Sequence, residues 1–267
     1  YANMGTAKSG LDLINAKGAW EITKGDPNVI IGITDSYVEL DHEDLVGQIV
    51  GVRGANLRNF SSHGTEVCGS AAAATDNGVG ISGIGFNSKI LFSDKQFIDN
   101  ELLVMSQLGI KVLNASWINS CSFDKASQDV YNEMRENGAI VCAGAGNKTN
   151  GQSNCGFRES YAYPASYDNV ISVSSVGHSN PIGYIDPSSG LPNNWKDVHE
   201  DVPGDTSSTH VHNDKIDIVA PGYNVLTTIN GGYGGVYGTS FASPMVAGVC
   251  ALILSVNPCL GPDDVEY

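Results

Sequence analysis

Six short apolar runs punctuate the chain. Val29-Ile30-Ile31-Gly32-Ile33-Thr34, Ile90-Leu91-Phe92, Val112-Leu113-Asn114-Ala115, Ala139-Ile140-Val141-Cys142-Ala143, Val170-Ile171-Ser172-Val173 and Ile216-Asp217-Ile218-Val219 are nearly continuous rather than alternating. That is the pattern of strands covered on both faces in a parallel sheet. Helical-period segments lie between several of them. Residues 127–137 place Val130, Tyr131 and Met134 on one face with charges opposite, and Gly138 follows as a terminator. Two small-residue helices are predicted at 64–74 and 241–255. The alternation implies an α/β fold, doubly wound, with a mainly parallel central sheet and helices on both faces. In such folds the functional residues gather where strands end and helices begin.

Composition narrows the function classes. A chain of 267 residues is long enough for one large core, and no Pro/Ser-rich linker divides it, so a single domain over 1–267 is expected. Charged residues are 16% of the chain, below the usual quarter, and its 32 glycines exceed the usual share of about 7%. A tight, loop-rich scaffold follows. The net charge of -15 argues against a nucleic-acid partner or an anionic membrane surface, since either needs a basic face. No run of about 18 apolar residues occurs, and the apolar stretch 246–254 is too short to cross a bilayer. Tyr1-Ala2-Asn3-Met4 has no basic region leading into an apolar one, and residues 261–267 look like a helix that stops after one turn. The expectation is a chain trimmed at its front and lacking a C-terminal piece.

The six cysteines include no CxxC pair, so no zinc ribbon is supported. Cys68, Cys142 and Cys250 sit in apolar runs as expected buried thiols, whereas Cys121 and Cys155 lie in polar loops and can form a disulfide. An even count is compatible with an oxidising compartment. The long irregular region 178–214 carries Asp186, Asp197, Glu200, Asp201, Asp205 and Asp214, a solvated surface in preference to a cation site. His199, His210 and His212 lack zinc spacing. Asn-x-Ser/Thr matches at Asn59, Asn114 and Asn147 are weak.

Three segments are informative together: Ile33-Thr34-Asp35-Ser36, Ser62-His63-Gly64-Thr65-Glu66-Val67 and Gly238-Thr239-Ser240-Phe241-Ala242-Ser243-Pro244. Singly, an Asp after a strand is a cap, a lone His is structural, and a Ser before a helix is an N-cap. Pro244 is expected in the first helical turn, where a missing N–H costs nothing. The co-occurrence in the order Asp, His, Ser is far more specific, and the chain resembles the subtilisin-like serine proteases from Ala19-Trp20 to Pro258. The resemblance implies Asp35 as orienting carboxylate, His63 as general base and acid, and Ser240 as nucleophile. Gly144-Ala145-Gly146-Asn147 matches the family's oxyanion segment, with Asn147 sharing that task with the Ser240 backbone N–H. An aliphatic hydroxyl needs an adjacent base to become a nucleophile at neutral pH, which is why these residue types occur together.

The resemblance further implies a secreted endopeptidase acting on protein or peptide substrates, made with its own prosegment, monomeric, and needing no catalytic cofactor. An esterase or amidase with the same triad and a non-catalytic peptide binder are the rivals. Peptide would add as a strand beside 114–118, with the S1 pocket between Ser116-Trp117-Ile118 and Gly144-Ala145-Gly146. Ile118 and Ala162 stand where glycine is common in the family, and the branched Ile118 is expected to narrow the pocket toward smaller P1 residues. Segment 98–101 is short where relatives carry a Gly-rich substrate strand. Glu66 replaces a frequent His and is expected as a solvated or supporting carboxylate. Asp44 and the loop Thr75-Asp76-Asn77-Gly78-Val79-Gly80-Ile81 match a calcium site of many relatives, with Thr75, Asn77, Val79 and Ile81 as candidate ligands. A metal-free Gly-rich turn is the equal alternative.

Overall fold

The computed structural model describes residues 10–56, 61–149, 152–153, 155–157, 159–178, 198–199 and 210–267. Its strands are β1 (Ile30–Thr34), β2 (Ile49–Arg53), β3 (Lys89–Ser93), β4 (Val112–Ala115), β5 (Ile140–Gly144), β6 (Lys148–Thr149), β7 (Gln152–Ser153), β8 (Ile171–His178), β9 (Val198–His199), β10 (Ile218–Pro221), β11 (Val225–Ile229) and β12 (Gly232–Val236). Its helices are α1 (Gly10–Leu13), α2 (Ala16–Ile22), α3 (His63–Ala72), α4 (Asp99–Gln107), α5 (Lys125–Glu136), α6 (Thr239–Val256) and α7 (Pro262–Glu266). All six apolar runs are strands of one sheet ordered β10-β8-β5-β4-β1-β3-β2, parallel throughout, with β9 added antiparallel to β8. The sheet is doubly wound as its pattern implies.

Strand alternation sorts the core into two layers. Ile31 and Ile33 of β1, Val112 of β4 and Ile140 and Cys142 of β5 pack with α3 and α6. Leu113, Ala115, Val141 and Ala143 pack on the other face with Leu102 and Met105 of α4 and Tyr131 and Met134 of α5. Asp124 caps α5 by accepting the Ser127 N–H at 2.8 Å. Cys121 and Cys155 are disulfide-bonded, Cα atoms 5.2 Å apart, and Cys68, Cys142 and Cys250 are buried free thiols.

Helix α6 departs from expectation twice. It runs 18 residues, long and apolar enough by composition to cross a membrane, yet 72% of it is buried within this fold, as the sheet's core helix. Its N-cap position is Gly238, so Ser240 lies inside the first turn rather than capping it. Pro244 is therefore in the helix interior, where it removes the N–H that would reach the Ser240 carbonyl. That carbonyl accepts from Ser116 Oγ at 2.7 Å instead.

Segment 98–101 also differs. Ile98 is the N-cap of α4, so the acidic residues Asp99 and Glu101 complement the positive end of a helix and do not continue as a strand. Most of 178–214, and Asn59, lie outside the described residues.

Candidate active site

Chain order reverses across β1: β3 lies on one side, and β4, β5, β8 and β10 follow on the other. Loops leaving β1 and β4 diverge there and open a crevice at the carboxyl edge. A cleft of about 430 Å³ occupies this position. Ser36, Ser61, His63, Gln96, Phe97, Ser116, Trp117, Ile118, Gly144, Gly146, Asn147, Thr239 and Ser240 line it. Ala145 and Ala162 are absent from the lining. Ala145 faces the α4–α5 layer, and Ala162 is buried behind Gly146.

Asp35 is the first residue beyond β1, fully buried, and accepts from the Ser36 N–H at 2.7 Å, Ser36 Oγ at 3.2 Å and His63 Nδ1, 2.9 Å from both carboxylate oxygens. A carboxylate only accepts, so Nδ1 carries the proton and Nε2 of the neutral ring is the acceptor facing outward chemistry. His63 starts α3. Gly64 beside it is obligatory, because a Cβ there would sit 2.3 Å from the Tyr37 carbonyl oxygen. Burial pulls the imidazole pKa down. The charge and hydrogen bond of Asp35, with a smaller contribution from Glu66, outweigh it, and the pKa is raised above 6.5. Glu66 itself accepts from Ser62 Oγ.

Ser240 enters the cleft from the first turn of α6. Its hydroxyl donates to the Ser116 carbonyl at 3.3 Å and makes no hydrogen bond to His63. Both side chains face the same cleft, and the Phe241 ring packs 5.5 Å from the imidazole.

Asn147 follows β5. Its Oδ1 accepts from the Thr239 N–H at 2.8 Å and Thr239 Oγ1 at 3.2 Å, which fixes the amide with its donor nitrogen at the opposite end. Thr239 Oγ1 also accepts the Gly146 N–H at 3.1 Å. Gly238, at φ 126°, keeps the space open, since a Cβ would lie 2.9 Å from Asn147 Nδ2. On the far side, Val211 N donates to Gly146 O at 3.0 Å and His210 bridges Asn147 in antiparallel fashion.

Residues that sequence reasoning missed are Thr239, Gln96 and Phe97. Phe97 has φ 65°, is 52% exposed, and stacks edge-on against Trp117 with centroids 5.8 Å apart. The unusual φ of a bulky residue leaves no local sequence signal. Ile118, half-buried, lines the cleft with Gly146, and its Cδ1 lies 3.2 Å from where a Gly146 Cβ would be.

The Asp44 loop is remote from this cleft. Asp44 is fully buried, and its oxygens accept the Asn77 Nδ2 at 2.8 Å and the Ile81 N–H at 2.7 Å. Asn77 Oδ1 accepts from Val79 N, and Thr75 Oγ1 turns to the carbonyls of Ala73 and Gly83. Calcium needs six to eight oxygens, and both Asp44 oxygens here accept N–H donors. Among the described residues no cluster of three or more His, Cys, Asp or Glu forms a metal site.

The parallel sheet with this cleft at its carboxyl edge defines an α/β architecture whose candidate residues gather at one switch point. Residues 26–267 match the model of the subtilase family, and the chain belongs to that family. It is 30% identical over 95% of its length to the halolysin-like extracellular serine protease Nep of Natrialba magadii, and spans only 45% of that protein. It is 27% identical over 92% of its length to the major intracellular serine protease of Bacillus subtilis (strain 168), covering 74% of it. The chain thus spans about half the length of several of the curated relatives it matches. Among solved structures it resembles a protease from Pseudoalteromonas arctica, with TM-score 0.71, 25% identity, and coverage of 94% of this chain and 84% of that one. Extracellular and intracellular enzymes both occur among its relatives.

Proposed function

We propose that the chain hydrolyses peptide bonds in proteins through an acyl-enzyme on Ser240. The observation that carries this is the pairing of buried Asp35 with His63, which opens with the α6 serine and Asn147 onto one cleft. A peptide added along 116–118 offers N–H donors to the Ser116 carbonyl, the acceptor on which the Ser240 hydroxyl rests. The displaced hydroxyl turns about χ1 to His63 Nε2, an exchange between staggered wells. Oγ then attacks the scissile carbonyl carbon while Nε2 takes its proton. The oxyanion is met by Asn147 Nδ2 and the Ser240 N–H, one of the orphan donors of a helix start. His63 returns the proton to the leaving amine, and water repeats the sequence to release the acid.

S1 lies between 116–118 and 144–146, narrowed by Ile118, and takes small P1 side chains. Secretion is favoured by the Cys121–Cys155 disulfide, since such bonds persist in oxidising compartments. A prosegment covers the cleft before maturation, and the enzyme acts as a monomer. Its loop at Asp44 works without calcium.

The test is a fluorophosphonate reaction followed by peptide mapping, with matched peptide and ester substrates. Labelling at Ser240, abolished in Ser240→Ala, together with peptide cleavage is the expected result. Ester turnover alone marks an esterase, and no label marks a binding module.

A further inference from the structure

Central strands of parallel sheets favour Val and Ile and are depleted in Asn. Yet β4, buried at all four residues, carries Asn114 at 0% exposure. A buried amide left without partners is costly, so its hydrogen bonds reveal what it serves. Its solvent exclusion also rules out the glycan its Asn-x-Ser motif would otherwise permit.

Asn114 points to the α6 side of the sheet. Ser243 Oγ donates to Asn114 Oδ1 at 2.7 Å, Asn114 Nδ2 donates to Ser116 Oγ at 2.9 Å, and Ser116 Oγ donates to the Ser240 carbonyl at 2.7 Å. The direction of every bond follows from Pro244. The Ser240 carbonyl lacks its intrahelical donor, so the Ser116 hydroxyl spends its proton there. That hydroxyl can only accept from Asn114, which must present its nitrogen. The amide oxygen then faces Ser243. Ser243 is fully buried and Ser116 only 3% exposed.

We infer that Asn114 is a positioning residue that sets the register between the nucleophile and the substrate-binding strand. Through Ser116 it holds the wall along which peptide adds, and through the same hydroxyl it holds the backbone of Ser240. The two reacting partners are thereby referred to one amide. This rests on the reading of Ser240 as nucleophile and goes beyond it, because Asn114 touches neither substrate nor reacting atoms. Misplacement by about 1 Å costs on the order of a hundredfold in rate.

The test uses the full chain and counts competent sites by fluorophosphonate titration, so turnover is expressed per titrated site. Asn114→Ala is expected to lower kcat per site by about 10- to 100-fold with KM changed less than about threefold. Ser243→Ala, which disturbs only the far end, is expected to cost about three- to tenfold, and the double variant to match Asn114→Ala, because both cut one chain. Ser243→Thr, retaining the hydroxyl, restores most of the loss. A merely structural role lowers the titre and leaves per-site kcat within about twofold, and that result, or additive losses in the double variant, overturns the inference. Absence of labelling at Ser240 in the unmodified chain overturns the catalytic reading first and the positioning role with it.

Discussion

Ile118 gives the most direct link from one side chain to substrate choice. Its Cδ1 stands 3.2 Å from the position a Gly146 Cβ would take, so the methyl fills space beside the Gly146 wall. An aromatic ring between two backbone walls needs about 3.5–4 Å on each face, roughly 7–8 Å in all. With the methyl occupying part of that width, a Phe at P1 is expected to be poorly enclosed. Full burial of a Phe side chain is worth about 1.5–3 kcal/mol, which corresponds to roughly 10- to 150-fold in kcat/KM. Ile118→Gly removes the methyl and returns that amount to Phe while changing Ala little. The assay is a set of peptide anilides identical except for Ala, Val, Leu or Phe at P1, with kcat/KM measured for both enzymes. The expected outcome is a Phe/Ala ratio rising about tenfold or more in the variant. A parent enzyme that already prefers Phe strongly, or a ratio that Ile118→Gly leaves unchanged, would refute the reasoning.

Asn147→Ala should lower kcat by about 10²–10³ with little change in KM, the loss known for an oxyanion asparagine in a subtilisin; stopped assays on a saturating peptide check it. The acid limb of the kcat/KM profile should fall above pH 6.5, because His63 is raised, and Glu66→Gln should move it to lower pH by removing one of the charges that raise it. The sign for stability follows: the Asp35–His63 attraction supports the fold below the unfolded pKa of His and is lost as pH rises through the raised value, which urea midpoints across that range measure. A chelator should leave the thermal midpoint unchanged, since Asp44 is closed by Asn77 and Ile81, whereas Asp44→Ala strands those donors at a cost of about 2–5 kcal/mol; a large chelator-induced drop would show a bound ion.

Sequence pattern carries the sheet because its strands are buried on both faces and so appear as unbroken apolar runs. β2 is not visible in that pattern, for it is an edge strand with a register shift between Ile49 and Gly51 and a half-exposed Val50. The β11–β12 hairpin escapes it because its buried positions include Thr227 and Thr228, whose hydroxyls bond carbonyls of α3, and β12 is largely glycine. Asp35, His63, Ser240 and Asn147 are legible because each sits in a contiguous motif. What ties them together is not. Thr239 meets Asn147 across 92 residues and Asn114 meets Ser243 across 129, and no local period encodes such pairings. The expected first-turn placement of Pro244 fails for a related reason: the compensating donor, Ser116, comes from another strand.

The abundance of glycine and alanine acquires a mechanical meaning at the contact between α3 and α6, which bring His63 and Ser240 to the same edge. A Cβ on Gly248 would lie 2.2 Å from Ile84 Cγ2 and 2.9 Å from the Ala71 carbonyl oxygen. One on Gly69 would lie 2.2 Å from Thr228 Oγ1. Each helical glycine costs about 1 kcal/mol of helix stability relative to alanine, so local preference alone would select against both. They are tolerated because a larger residue at Gly248 would push α6 away from α3 and one at Gly69 would push α3 away from β11, and both helices begin with residues that lie in the cleft. A separation imposed two turns deep is carried undiminished to the imidazole and the hydroxyl, where tenths of an ångström set whether a proton can pass. On the proposed mechanism, the spacing of His63 and Ser240 therefore depends in part on residues that never enter the cleft.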